Sequence, residues 1–428
     1  MPTKTMSLPN SETVTRTTLD NGITILVYEN PNVHSVVLAG SIHAGALYVS
    51  PSQAGLASMT ANCLMLGTQS RDFDAIHSSL EEIGADLSLH AGGHKVGFSG
   101  KALAEDFELL VDLLNDTLRN PLYPEDQVER RRGEILTWLH YREQDTRWQS
   151  ANAFRRTLYP ETHPYHHSVR GTLETIPSLS IEDMKAFHRN QYGPRGAVIV
   201  VVGAVNSDDV IATITQYLGD WKNPNQPEIP SIPDVKSPTE MTRINIAIPG
   251  KMQSDIIIGT VGPSRFAPNY QAANLANSIL GQFGMMGRVG QVIREQAGLA
   301  YYVYSRLDGG YGPGAWSISA GVHPDNVEQA INMAIDELRL LIKEAVSEDD
   351  LADNQSYFTG RLPLQLESSE GVAGTLLTIE NFNLGLDYLS HYHDMIHQLT
   401  TQQLLAATQQ YLNPDALVIT VAGPAENK

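Results

Sequence analysis

Gly55-Leu56-Ala57-Ser58-Met59-Thr60-Ala61-Asn62-Cys63-Leu64-Met65-Leu66-Gly67-Thr68 is a short run of helix-compatible residues between two glycines. Positions 58 and 62 are four apart and share one helix face. Two imidazoles at such a pair can hold a zinc ion, and a carboxylate beside the second can take a proton from metal-bound water. Here the pair is Ser58 and Asn62, and Ala61 stands where the base would be. A neutral hydroxyl and a carboxamide are not the ligands such a site uses, and a methyl group takes no proton. The stretch has the spacing of a metal site without its chemistry.

Outward from that stretch, composition sets the class. With 428 residues the chain exceeds what a single core usually supports, so two domains of about 200 residues are expected. A net charge of −19 argues against nucleic acid or anionic membrane as partner, since both need a basic surface, and favours basic peptides. The start, Met1 to Pro9, lacks the apolar run of a signal peptide, and no run of eighteen apolar residues occurs, so a cytoplasmic chain without a spanning helix is expected. The single cysteine, Cys63, permits no intrachain disulfide and reads as a small core residue.

The chain also repeats itself. Met184 to Val205 reads as a helix stopped by Gly193-Pro194 and followed by an apolar strand, and Leu404 to Pro424 repeats the scheme, with Asn413-Pro414 as the stop. Tyr192 and Tyr411 correspond, a spacing far too long for a solenoid and consistent with duplicated domains. Between the halves, residues 222–238 carry Pro224, Pro227, Pro230, Pro233 and Pro238, the composition of an extended linker. The expected division is 1–221, linker 222–238, and 239–428.

Each half mixes strands and helices. β-branched runs at 22–28 and 35–42 read as strands, and 73–83, 105–119 and 125–142 have helical spacing. In the second half, 244–248, 255–261 and 315–322 read as strands. Residues 269–296 read as mainly helical, and 327–345 as an amphipathic helix with Asp325 as its cap.

The frame of residues 55–68 resembles the Gly-Leu-Ala-His-x-x-Glu-His-x-x-x-x-Gly-Thr segment of the pitrilysin and mitochondrial-processing-peptidase family, the inverted zincins. That family's third zinc ligand, a Glu about 75 residues downstream, falls near Trp138, whose indole offers no lone pair. Further resemblances are Asn21-Gly22, Leu158-Tyr159-Pro160 with His163-Pro164-Tyr165, and Leu179 with Asp183. The most specific is Val292-Ile293-Arg294-Glu295-Gln296-Ala297-Gly298-Leu299-Ala300-Tyr301. It is similar to the family's second-half signature, whose Arg and Tyr reach the active site from the domain facing the zinc.

The resemblance implies an α+β fold of two homologous domains, each an antiparallel sheet backed by helices, of the processing-peptidase-like or LuxS-like metallohydrolase type. It also implies Arg294 and Tyr301 as catalytic contributors. An Arg fork can hold substrate carbonyls, and a phenol can donate to a developing oxyanion. Some members divide the machinery between subunits, one with the zinc motif and one with the Arg/Tyr pair. This chain carries the second set alone. The expectation is therefore a subunit inactive by itself, without metal or cofactor of its own, paired with a homologous zinc-bearing subunit that acts on peptides. The alternative is a structural core-type subunit with no part in proteolysis.

Other segments imitate sites. His393 and His397 are spaced like a metal pair but read as a polar helix face, and His163-Pro164-Tyr165-His166-His167 reads as a structural loop. His90 and His94 flank Ala91-Gly92-Gly93, where catalytic relatives have the edge strand that pairs with substrate, and the glycines are expected to weaken that strand. Residues 281–287 lack the spacing of a phosphate loop, and Glu129, Arg130, Arg131 and Arg132 read as a solvated charged face.

Overall fold

The computed structural model describes residues 8–282 and 287–424. The N-terminal reading at residues 1–7 and the centre of the glycine-rich segment, 283–286, lie outside the described residues. The chain divides into two compact units. The first comprises Met1–Thr137, Ser168–Pro230 and Leu362–Tyr392; the second comprises Trp138–His167, Ser231–Arg361 and His393–Lys428.

The first unit is built on a six-stranded sheet. Its strands are β1 (Val14–Thr18), β2 (Thr24–Glu29), β3 (Ser35–Ile42), β4 (Asp86–Ala91), β5 (Val96–Leu103) and β6 (Val198–Gly203), in the order β1-β2-β6-β3-β5-β4. The central strands are buried on both faces, so β6 reads as a continuous apolar run rather than an alternating one. On one face the helices Phe107–Arg119 and Ser207–Leu218 pack toward β5 and β2. On the other lies the helix Ser369–Asn381, whose Val372, Ala373, Leu376 and Ile379 pack on Leu26, Val37, Val200 and Val202. Ion pairs at the margins of that helix join Arg16 to Glu380 at 2.8 Å and Lys101 to Glu370 at 2.6 Å. A helix from late in the chain therefore completes a core whose strands come from its beginning.

The second unit has five strands, β7 (Thr242–Ala247), β8 (Ser254–Val261), β9 (Ala300–Leu307), β10 (Ala315–Val322) and β11 (Val418–Gly423), in the order β7-β11-β8-β10-β9. The helices Val327–Lys343, Tyr270–Asn277 and Thr401–Tyr411 cover one face around Trp316, Ile256, Ile258 and Leu338. The helix Thr146–Leu158 packs against β8 and β11, burying Phe154 and Leu158 with Val261 and Val418. Inside that contact Ser150 and Thr420 exchange hydrogen bonds through hydroxyl and backbone groups. This helix precedes the proline-rich segment in sequence, so the second unit also borrows from the other side of it.

The two sheets share one topology. Setting β1 aside, β2-β6-β3-β5-β4 and β7-β11-β8-β10-β9 place their strands in the same sequence rank, which pairs β4 with β9 as equivalent edges. The fold is α+β, two sheets each backed by helices. Neither sheet is wholly antiparallel: β2 runs parallel to β6 and β7 parallel to β11, because the last strand of each half returns from a helix to insert beside the first.

Local expectations hold at 35–42, 73–82, 107–119 and 315–322. Residues 269–296 are mainly helical where described, as expected, though not as one regular helix. They form Tyr270–Asn277 and two π-type segments, Ser278–Gln282 and Gly290–Gln296, with non-helical backbone at Gly281. Asp325 is not a helix cap; it lies in the turn Pro324–Asn326, where His323 accepts its backbone N–H.

Candidate functional site

The helix Leu56–Asn62 lies against β4, with Leu56, Ala57, Met59, Thr60 and Ala61 buried. Its half-buried face carries Ser58 and Asn62, and the Asn62 amide donates to the Ser58 hydroxyl over 3.4 Å. Ala61 is 2% exposed and contributes only a methyl group. Trp138 belongs to a different cluster: its ring meets Trp148 edge to face at 5.1 Å, with the Arg142 guanidinium over the two rings at 5.2 and 5.7 Å. A zinc ion does not fit this donor set, because Ser58, Asn62 and Trp138 provide neither imidazole nor carboxylate. Among the described residues no group of three or more His, Cys, Asp or Glu is arranged to hold a metal.

Cys63, at the end of the same helix, is fully buried, and burial pushes its thiol up to about 12, so it is a core residue and not a nucleophile. The charged stretch that follows in sequence is less solvated than its composition implies. Arg132 is buried, paired with Glu129 at 3.0 Å, and donates to the Ile176 carbonyl; Arg130 lies 5.3 Å over the Phe73 ring. Glu129 and Arg130 are exposed, while Arg131 is half-buried and pairs with Glu134 at 2.9 Å.

The edge strand is intact. Gly92 and Gly93 fall in the turn beyond β4, where Gly92 donates to Lys95, and β4 pairs with β5 from Asp86 to Ala91. The expected weakening fails because the glycines serve the hairpin turn, where backbone freedom is needed, and leave the strand untouched. Leu87 and Leu89 anchor it inward while Asp86, Ser88 and His90 face out.

Arg294 and Tyr301 sit in the second unit around a helix-to-strand turn. Arg294 is half-buried in the segment Gly290–Gln296. Gly298, at φ +65°, donates to the Arg294 carbonyl and closes the helix in the left-handed region that favours glycine. Tyr301 enters β9 at the sheet edge. The register steps from Gly321↔Tyr302 to Val322↔Ala300, which leaves Tyr301 as the extra residue of a β-bulge. It is 59% exposed, and neither its hydroxyl nor the Arg294 guanidinium has a hydrogen-bond or ion-pair partner among the described residues. The structure gives no contact between the two.

The neighbouring tyrosine does the opposite. Tyr302 donates to the carboxylate of Asp255, which is 2% exposed and also accepts from Thr146 and, at 3.0 Å, from Gln253. The ring crosses Gly321, where a Cβ would meet it at 2.4 Å. Arg147 lies 4.7 Å over the same ring and donates to Tyr304 at 2.8 Å. Sequence reasoning missed this anchor. Its signal was the Tyr301-Tyr302-Val303-Tyr304 run, in which alternate residues point to opposite faces.

The histidines of the two site-like segments, 163–167 and 393–397, are structural or exposed. His163 stacks on Tyr159 at 5.2 Å, bonds to the Pro233 carbonyl at 3.0 Å and accepts from the Tyr165 amide. His166 and His167 are each within 2.8 Å of a backbone carbonyl. The His393 and His397 rings lie 4.3 Å apart on the exposed face of the helix Tyr388–His397.

A family model described as Insulinase (Peptidase family M16) matches residues 24–168, and one described as Peptidase M16 inactive domain matches residues 178–357. An uncharacterized zinc protease of Streptomyces coelicolor is 26% identical over 360 residues, 83% of this chain and 78% of its own. An uncharacterized zinc protease of Mycobacterium leprae is 25% identical over 401 residues, 94% of this chain and 89% of its own. The crystal structure of a peptidase M16 inactive domain from Pseudomonas fluorescens superposes with a TM-score of 0.89 at 26% identity, covering 96% of this chain and 98% of that one. A protease from Helicobacter pylori shares the fold, with a TM-score of 0.89 at 19% identity over 98% of this chain and 100% of that one.

Proposed function

Because this chain belongs to the M16 peptidase family, we propose that it is the zinc-less subunit of a heterodimeric zinc metalloendopeptidase that degrades or processes peptides. The observation that carries the reading is a contrast within the chain. The face that should bind zinc holds an amide bonded to a hydroxyl, while the Arg294 and Tyr301 side chains have no partner among the described residues, the latter displayed on a bulge. Bulges re-aim side chains beside functional sites, and a free phenol on a sheet edge gains nothing for folding. Arg294 would hold substrate carbonyls and Tyr301 would donate to the oxyanion of the tetrahedral intermediate. The water nucleophile would come from the zinc site of a homologous partner, and no step runs through a metal on this chain.

The duplicated-domain division, 1–221 and 239–428 about the linker 222–238, is part of the same proposal and is supported by the matching strand order of the two sheets. A cytoplasmic location is proposed with it, in line with the lone cysteine; no helix among the described residues is long and apolar enough to cross a membrane.

Co-expression with a zinc-bearing homologue, co-purification and a peptide-cleavage assay test the function. Activity should appear on mixing and be negligible for this chain alone. If the mixture cleaves no faster than the zinc subunit by itself, the structural-subunit reading replaces this one.

A further inference from the structure

The second unit contains a cavity of about 340 Å³ between the segment that bears Arg294 and the C-terminal part of the helix Val327–Lys343. Arg288, Gln291 and Val292 line one side; Glu337, Leu340 and Glu344 line the other. Its size lies at the lower end of the range for small-ligand sites.

The charges around it do not balance. Arg288 is paired with Asp350 at 3.4 Å, and the rim residue Glu344 with Lys343 at 3.5 Å. Glu337 remains. It is 9% exposed, yet among the described residues it accepts no hydrogen bond and forms no ion pair. Burial raises its pKa, opposed by the nearby Arg288 and assisted by Asp336. Its carboxylate oxygens are not among the sealed, unpartnered polar atoms of the described residues, so they open to the cavity, where a cation or a donor can reach them. Here it lines an open cavity whose other walls include the apolar Val292 and Leu340.

We propose that this cavity binds an alkylammonium group, with the cation on Glu337, Glu344 at the rim, and the methylene stem along Leu340 and Val292. The pairing follows how amphipathic cations bind: an apolar stem on apolar surface, the charged head on an acid. Two sources share that chemistry, a lysine side chain of a peptide and a free linear diamine. The site is separate from Arg294 and Tyr301, and the proposal does not depend on their role.

Calorimetric titration of the full chain with N-acetyl-lysine amide, 1,5-diaminopentane and N-acetyl-norleucine amide tests it. The lysine probe or the diamine should bind with a Kd on the order of 1 mM or tighter, and the uncharged norleucine probe should not. Binding by the lysine probe alone identifies a peptide side chain as the ligand; binding by the diamine alone identifies a free amine. Glu337→Gln should weaken binding at least about 10-fold. The same variant should shift the urea midpoint little, since the carboxylate opens to the cavity and makes no bond among the described residues that the amide would lose. Failure of both cations to bind, equal binding of norleucine, or undiminished binding to Glu337→Gln overturns the proposal.

Discussion

Two adjacent tyrosines on β9 allow catalysis and stability to be separated by removing one oxygen atom at a time. Tyr301 is 59% exposed with no partner for its hydroxyl among the described residues, so Tyr301→Phe breaks no bond among them. Its unfolding free energy should stay within about 0.5 kcal/mol of wild type. In the assembled heterodimer the same change removes an oxyanion donor, which typically lowers turnover about 10²-fold or more, equivalent to about 2.7 kcal/mol or more of transition-state stabilisation. Tyr302→Phe should do the reverse. It takes one of three side-chain donors from the buried Asp255 carboxylate, leaving Thr146 and Gln253. A lost bond to a buried charged group costs roughly 1–3 kcal/mol, so its urea midpoint should fall measurably. Turnover by intact Tyr302→Phe dimers should stay far closer to wild type than that of Tyr301→Phe. The assays are urea denaturation of each variant alone and steady-state kinetics of each reconstituted dimer, with assembly checked by sizing. Wild-type turnover in an assembled Tyr301→Phe dimer refutes the catalytic assignment. A loss of stability in Tyr301→Phe as large as that in Tyr302→Phe refutes the geometry from which it was argued.

Arg294→Ala should raise KM and lower kcat together, because a guanidinium on substrate carbonyls acts in ground and transition states alike; steady-state kinetics of the dimer reads both. Leu376→Ala, at a fully buried position facing the first sheet, should cost about 2–5 kcal/mol, and hydrogen exchange should show the lost protection in β2, β3 and β6 rather than in β8, β10 and β11. Burial holds the His43 and His94 imidazoles down at about 4 and also lowers His163 and His188. The unfolded chain therefore binds more protons as pH drops from about 6.5 toward 4, and stability should decline across that window. Lys95, lowered to about 8, acts only at more alkaline pH, and carboxylates with lowered pKa act near and below their ordinary values. The urea midpoint should be lower at pH 5 than at pH 7, and His94→Gln should flatten the difference.

The strands and many of the helices were legible because their signals are local: β-branched runs, turn residues and helical spacing. The Arg294 and Tyr301 positions were legible too, since Gly298 announces the end of one element and the start of the next. What could not be read was partnership between distant segments. Val372, Leu376 and Ile379 give an apolar helix face, but nothing local says which sheet it covers, and it covers the strands of the first. The same limit hid Arg132, whose neighbours in sequence are charged while its bonding partner, Ile176, comes from a later segment. At β4 the error was one of register: Gly92-Gly93 looked like part of a strand because the turn signal and the strand signal adjoin. The bulge at Tyr301 is likewise invisible in one strand alone, since it is defined by what β10 places opposite.

The loan of residues Leu362–Tyr392 to the first unit bears on how the protein is made. On the ribosome, β1 to β6 have all emerged once Gly203 is clear, but the face formed by Leu26, Val37, Val200 and Val202 has no cover until the segment ending at Tyr392 follows. At about 5–20 residues per second that interval lasts on the order of 10 s or more, ample time for an uncovered sheet to meet another nascent chain. Completion of the first unit is thus tied to synthesis of the chain through Tyr392. A message cut short before codon 392 would release a polypeptide with an exposed aliphatic sheet, a substrate for holdase chaperones and quality-control proteases rather than a folded half.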